Sequence, residues 1–310
     1  MTYSHIPVLQ DEVLSYLNLQ DGKFFIDATC GEGGHSESVL LKYPGVKVLA
    51  VDRDSTVLEI ARKRLSGHGN RFFSFNMHFS EIKKALNELG WATADAVLVD
   101  LGISQYHYQQ SGRGFSFQQR EKLDMRLNSS QTKSAFSIIN QSPQKHLETI
   151  LKNYAEERFY KSICRAIIEE RRKMEIAYTD QLVHIIEKAV PKRFHPKKIH
   201  VATKTFQALR IAVNDELDKL DKCLANFVDI ISKGARLAVI SFHSLEDRIV
   251  KKFFKWESLD CVCPADAPVC ICDKKPRLSV ITKKPVTAGL KEIQNNPSAR
   301  SAKLRIAEKL

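Results

Sequence analysis

Three aspartates stand where an apolar run stops. Asp27 follows Phe24-Phe25-Ile26, Asp52 follows the run from Val46 to Val51, and Asp100 ends the Val- and Leu-rich stretch that begins at Ala94. Between the first two lies Ala28-Thr29-Cys30-Gly31-Glu32-Gly33-Gly34-His35-Ser36. Glycines let a backbone approach a ligand closely. A carboxylate at the tip of the second apolar run can accept both hydroxyls of a ribose. The chemistry on offer is the binding of a nucleoside.

The elements that must hold these residues follow from the pattern. An apolar run, a glycine turn and a helical pattern predict strand, tight loop and helix. A helical stretch from Ser55 to Arg64 follows Asp52-Arg53-Asp54 and completes a β-α-β unit. A third strand at Arg71–Asn76, a helix from Ser80 to Leu89 and a fourth strand at Ala94–Leu101 come next. In an open parallel sheet the carboxyl ends of the strands line the ligand crevice, and Asp27, Asp52 and Asp100 all fall at such ends. Phe79, just past the third strand, is placed either to stack on an adenine or to pack in the core.

The choice of nucleoside turns on two side chains. A dinucleotide fingerprint wants a third glycine where this chain has Ser36. A dinucleotide also sets its pyrophosphate at the helix N-terminus, where the charge of Glu32 opposes it. S-adenosylmethionine carries a ribose, an ammonium and a sulfonium but no phosphate, so it fits better.

Beyond Ser104 the pattern changes. Ser111-Gly112-Arg113-Gly114-Phe115-Ser116-Phe117 reads as a loop over the crevice, and Leu123-Asp124-Met125-Arg126 follows it. Only helical patterns run from Thr132 to about Ala202, including a basic helix from Ala155 to Lys173. A fifth strand resumes at Ala235–Ser241, then Phe242-His243-Ser244 and a basic amphipathic helix from Leu245 to Trp256. Arg277–Thr282 and Lys303–Ala307 alternate as strands and predict an antiparallel edge pair. The fold class is therefore α/β, a Rossmann-like sheet with an all-helical inserted domain.

The chain has 310 residues, 43% of them hydrophobic, enough for a sizeable core. No apolar run approaches the ~20 residues of a spanning helix, and residues 1–9 lack a secretory pattern. A cytoplasmic protein that meets no membrane is expected. The net charge of +12 points to a polyanionic partner. Lys192, Arg193, His195, Lys197, Lys198, His200, Lys204 and Arg210 form the densest basic cluster and are expected to meet phosphates. Phe115 and Phe117 either stack an unpaired base or anchor their loop. Seven cysteines suit reduced thiols. Cys261-Val262-Cys263 and Cys270-Ile271-Cys272 have enough thiols for a tetrahedral zinc site. Their Cys-x-Cys spacing departs from the usual Cys-x-x-Cys, so no metal is assigned to them.

Several of these stretches together resemble one family: residues 27–36, Asp52-Arg53-Asp54, 100–104, 113–117, Leu123-Asp124-Met125-Arg126, Glu157-Arg158-Phe159, 205–210, 241–248 and Asn296-Pro297-Ser298-Ala299-Arg300-Ser301. In that order they are similar to the RsmH (MraW) family, bacterial 16S rRNA cytosine N4-methyltransferases, over nearly the whole length. The resemblance implies a class I S-adenosylmethionine-dependent methyltransferase domain at 1–105 and 199–310, with a helical substrate-recognition insert at 106–198. It implies S-adenosyl-L-methionine as cofactor and a decoding-region cytosine of 16S rRNA, within the small ribosomal subunit, as partner; a homodimer is left open. Family contacts to the donor map onto Gly33, Gly34, His35, Asp52, Phe79 and Asp100. Where the family carries a glutamine this chain has His107, with Gln105 nearby.

The exocyclic amine of cytosine is a poor nucleophile, because its lone pair is delocalised into the ring. It must be held in line with the methyl group, and an acceptor must hydrogen-bond it as positive charge grows. The Asn/Asp-Pro-Pro-Tyr run of many amino-methyltransferases is missing here. Asp100, Asp124 and His243 are the candidate acceptors; Asp124 with Arg126 reads equally as a structural ion pair, and His243 as a packed histidine. A nicotinamide oxidoreductase is opposed by Ser36, Glu32 and the basic charge. A non-catalytic RNA-binding factor is opposed by the intact loop with Asp52 and Asp100.

Overall fold

The computed structural model describes residues 6–218, 220–264 and 269–310. The chain separates into two compact units, one of Met1–Ile103 with Lys219–Leu310 and one of Ser104–Asp218.

The first unit is built on seven strands: β1 Phe24–Asp27, β2 Lys47–Asp52, β3 Phe72–Asn76, β4 Ala94–Asp100, β5 Ile231–Ser241, β6 Leu278–Val280 and β7 Lys303–Lys309. Their order is β3-β2-β1-β4-β5-β7-β6. β1 to β5 run parallel, and β7 is antiparallel to both β5 and β6. This is a Rossmann-like α/β sheet with an antiparallel strand pair added at one side.

Near-continuous apolar runs such as Val48-Leu49-Ala50-Val51 mark strands covered on both faces. Alternate residues divide accordingly. Ile26, Leu49, Val97 and Val239 face one buried cluster with helices Ile82–Leu89, Leu220–Ile230 and Ser244–Glu257. Phe25, Val48, Leu98 and Ile240 face the other with helices Gln10–Tyr16, Gly34–Lys42 and Ser55–Arg64. The strand order reverses between β1 and β4, and that switch point opens the ligand crevice of such sheets at the strand carboxyl ends.

The predicted antiparallel edge pair is present as β6 and β7. β6 lies at the edge, but β7 is interior, pairing on its other side with β5 from Arg236↔Glu308 to Ser241↔Lys303. Arg305 of β7 is buried, and its charge is compensated there: its guanidinium donates to Asp247 at 2.6 Å.

The second unit contains helices Gln105–Gln109, Ala135–Gln141, Gln144–Ala155, Tyr160–Arg171, Thr179–Ala189 and Thr203–Asn214. It runs to Asp218, whereas the sequence placed the end of the insert at 198. Thr203–Asn214 packs on Gln144–Ala155, which draws it into this unit. The expected helix from Ala155 to Lys173 is broken. Glu156 takes a left-handed conformation (φ 48°) that caps Gln144–Ala155, and the next helix begins only at Tyr160.

Candidate active site

The turn after β1 is organised by the buried carboxylate of Asp27. One oxygen accepts the Ser36 hydroxyl at 2.7 Å and the other the Thr29 amide at 3.4 Å. Ser36, which breaks the dinucleotide fingerprint, is fully buried and serves this bond. Burial lifts the Asp27 carboxyl to about 6; the hydrogen bonds from Ser36 and Thr29 oppose the rise and the charge of Asp52 adds to it.

Asp52 closes the loop from the end of β2. Its carboxylate accepts the Gly31 amide at 2.8 Å and the Asp54 amide at 2.9 Å. Gly33 and Gly34 are where the resemblance puts them, at the start of helix Gly34–Lys42, and the protein's own packing also demands them. Gly33 has φ +82°, and a Cβ there would lie 3.0 Å from the Leu65 side chain. At Gly34 a Cβ would meet Pro7 at 2.7 Å.

Asp100 ends β4, and its amide donates to the Thr29 hydroxyl at 2.7 Å. Its Oδ2 lies 3.7 Å from Nε2 of the mostly buried His35. Its Oδ1 is buried and has no hydrogen-bond partner among the described residues. Burial drives this carboxyl well above the usual carboxylate range, and the charges of Asp27 and Glu246 push the same way. An unpartnered buried acceptor costs ~1–3 kcal/mol, a debt that a cationic or N–H-bearing ligand would cancel. That residue set fits S-adenosylmethionine, whose charged end carries an ammonium.

Phe79 follows β3 in a single 3-10 turn. Its ring stacks on His78 with centroids 4.2 Å apart and leans on Phe227 at 6.1 Å, against the sheet's apolar cluster. His243, just past β5, is the N-cap of helix Ser244–Glu257. Its Nδ1 accepts the Glu246 amide at 3.4 Å, while Glu246 takes the amides of Phe242 and His243. This reciprocal cap gives His243 a structural task, and the buried Glu246 carboxylate sits 3.1 Å from its Nε2. Thr29 and Glu246 were missed in the sequence. The capping-box spacing from His243 to Glu246 was the one available signal.

His107 and Asp124 belong to the second unit. His107 is buried, with its ring 5.1 Å from that of Phe115 and its Nδ1 3.3 Å from the Ser104 hydroxyl. Asp124 forms a two-pronged ion pair with Arg126, at 2.6 and 2.9 Å. Leu123-Asp124-Met125-Arg126 is tied down by Asn214, whose side chain accepts the Leu127 amide and donates to the Met125 carbonyl. Phe115 is buried, and Phe117 packs edge-on to Phe206 at 4.9 Å, so both rings anchor their loop. Within the basic cluster, Lys192, Arg193, Lys197 and Lys198 are exposed. Arg210 is turned to Glu216 in a two-pronged pair, and His200 faces Glu187 at 3.3 Å.

The profile described as the MraW methylase family matches residues 2–310. A protein of Carboxydothermus hydrogenoformans named ribosomal RNA small subunit methyltransferase H is 45% identical, over 100% of this chain and 99% of its own length. Proteins of the same name from Geobacter sulfurreducens and Finegoldia magna are 44% and 39% identical, each over 100% of both chains. A glycine turn, three strand-end carboxylates and full-length similarity at this level converge: the chain belongs to the MraW methylase family.

Proposed function

We propose that the protein methylates the exocyclic N4 amine of a decoding-region cytosine in 16S ribosomal RNA of the small subunit. S-adenosylmethionine is its cofactor and supplies the methyl group. The observation that carries the reading is Asp100: a carboxylate at the switch-point end of β4, with a buried oxygen that no described side chain or backbone group satisfies.

The first unit holds the donor. Asp52 receives the ribose hydroxyls, Phe79 offers its ring to the adenine, and the turn at Gly33-Gly34-His35 lets the backbone come close. Asp100 accepts hydrogen bonds from the positive end of the donor or from the amine. As charge grows on that amine, an acceptor carried on a peptide already fixed by the Thr29 hydroxyl needs little reorganisation. His243 acts by holding the start of the helix after β5, and the Asp124–Arg126 pair acts by fixing its loop. Both oxygens of Asp124 are engaged by Arg126, so the acceptor role is assigned to Asp100.

The second unit is assigned to RNA. Lys192, Arg193, Lys197 and Lys198 give a run of exposed charge suited to phosphates. The amine of a paired cytosine is out of reach, so the target base must be unpaired or turned out of its helix. The cytoplasm is the compartment in which such a substrate is met.

The test is transfer of labelled methyl from S-adenosylmethionine to small subunits lacking the modification, followed by digestion to nucleosides. N4-methylcytidine from the decoding region is the expected product. Label in another nucleoside, or none, overturns the proposal.

A further inference from the structure

Between helix Ser244–Glu257 and β6 the chain makes an excursion closed at its base by Arg277. The Arg277 guanidinium donates to the Glu257 carboxylate at 2.6 Å and its amide to the Glu257 carbonyl at 2.8 Å. Above that clasp the described apolar side chains Val262, Val269 and Ile271 are exposed. Val269 is 71% exposed and Ile271 85% exposed. Yet four thiols gather there: the sulfur atoms of Cys261, Cys263, Cys270 and Cys272 all lie within 4.8 Å of one another.

The separations are informative. Cys261 and Cys270 are 3.5 Å apart, Cys270 and Cys272 3.6 Å, Cys263 and Cys270 3.9 Å, and Cys261 and Cys272 3.9 Å. A zinc–sulfur bond of ~2.3 Å implies a tetrahedron edge of ~3.8 Å between thiolates. No pair is at bonding distance, and a cluster of several irons would hold its cysteines farther apart.

The surrounding amides complete the picture. The Val262 amide donates to Cys272 at 3.3 Å, and the Ile271 amide donates to Cys263 at 3.4 Å. Each Cys-x-Cys turn therefore aims the amide of its middle residue at the last sulfur of the other turn. Amides directed at sulfur stabilise thiolate ligands and fix their orientation. Short Cys-x-Cys spacing counted against a metal in the sequence. The reciprocal arrangement of the two turns shows how that spacing still presents four sulfurs around one point.

The geometry points to a structural zinc ion held by Cys261, Cys263, Cys270 and Cys272, tying the excursion between helix Ser244–Glu257 and β6. The set leaves no position for a substrate or a water, so the metal's role is to order a segment that burial does not order.

The test uses the full-length protein, reduced and stripped of metal by a chelator. Titration of native-state thiols is followed with and without one equivalent of zinc. The expected result is that zinc removes about four reactive thiols per chain, and that cobalt in its place gives the visible spectrum of a tetrahedral tetrathiolate. Emission spectrometry of protein purified without chelator should find about one zinc per chain, and close to none in the Cys261→Ser/Cys272→Ser double variant. Thiols that react equally with and without zinc overturn the inference. So does recovery of the four cysteines as two disulfides under reducing purification. The wild-type titration decides the matter even if the double variant fails to fold.

Discussion

The side-chain oxygen of Thr29 accepts the backbone amide of Asp100 at 2.7 Å, so the turn after β1 fixes the peptide that carries the β4 carboxylate. Two strands adjacent at the switch point thus share one polar joint, and the site's least satisfied oxygen belongs to it.

Asp100→Asn should keep the fold and lower kcat/KM at least about 100-fold, the usual loss for one preorganised electrostatic contact. Because the carboxyl is held well above the usual range by burial and by Asp27 and Glu246, its charged form is scarce at low pH. Affinity for the cationic donor should therefore rise with pH as Asp100 ionises, and fall as pH drops. Calorimetry across pH checks this. A profile as steep in Asp100→Asn as in the wild type would show that another group is responsible.

Asp27 makes a stability prediction. Its folded-state value of about 6 lies above the ordinary 3.8. The folded state therefore binds the proton more tightly than the unfolded chain, and this contribution is present at low pH and lost as pH rises through about 6. Above that the ionised group costs about 3 kcal/mol. Asp27→Asn, which keeps the acceptor for Ser36, should gain on the wild type by up to that amount between pH 4 and pH 7. Denaturant melts at the two pH values measure it, and a difference that does not move with pH refutes it.

Asn214 bridges Met125, Leu127 and Arg210 from a buried position. Asn214→Ala orphans the buried Leu127 amide and should cost about 2–3 kcal/mol. Hydrogen exchange should accelerate first at residues 123–127, where Met125 holds a left-handed conformation (φ 58°). Uniform loss of protection throughout the second unit would argue that Asn214 supports the core rather than this run.

Exposed charge at Lys192, Arg193, Lys197 and Lys198 should govern RNA affinity. Replacing Lys192, Lys197 and Lys198 together by Ala should flatten the dependence of log affinity on log salt by about 2, at ~0.7 per single-strand phosphate contact. Filter binding over a salt series is the measurement. An unchanged slope would move the phosphate path elsewhere.

The sheet was legible because its strands are buried on both faces and read as continuous apolar runs ending in acids. Asp27, Asp52 and Asp100 could be placed at strand ends from that pattern alone. What local pattern cannot show is partnership at long range. Nothing near residues 303–309 announces that β7 enters between β5 and β6, because the compensation for Arg305 comes from Asp247. Nothing near Glu156 announces a left-handed residue, because no glycine marks the break. Arg210 read as a phosphate ligand until Glu216 was found facing it. Gly33 and Gly34 read as room for a ligand, and their necessity to Leu65 and Pro7 emerged only with the tertiary contacts.

The position of β7 bears on how the protein is made. β6 leaves the ribosome ahead of β7, yet its one neighbour in the sheet is β7. Until that later segment threads into place, residues 278–280 have no ladder to join, and β5 presents bare amides and carbonyls along one side. The nascent chain thus carries an open seam from the synthesis of β5 until that of β7.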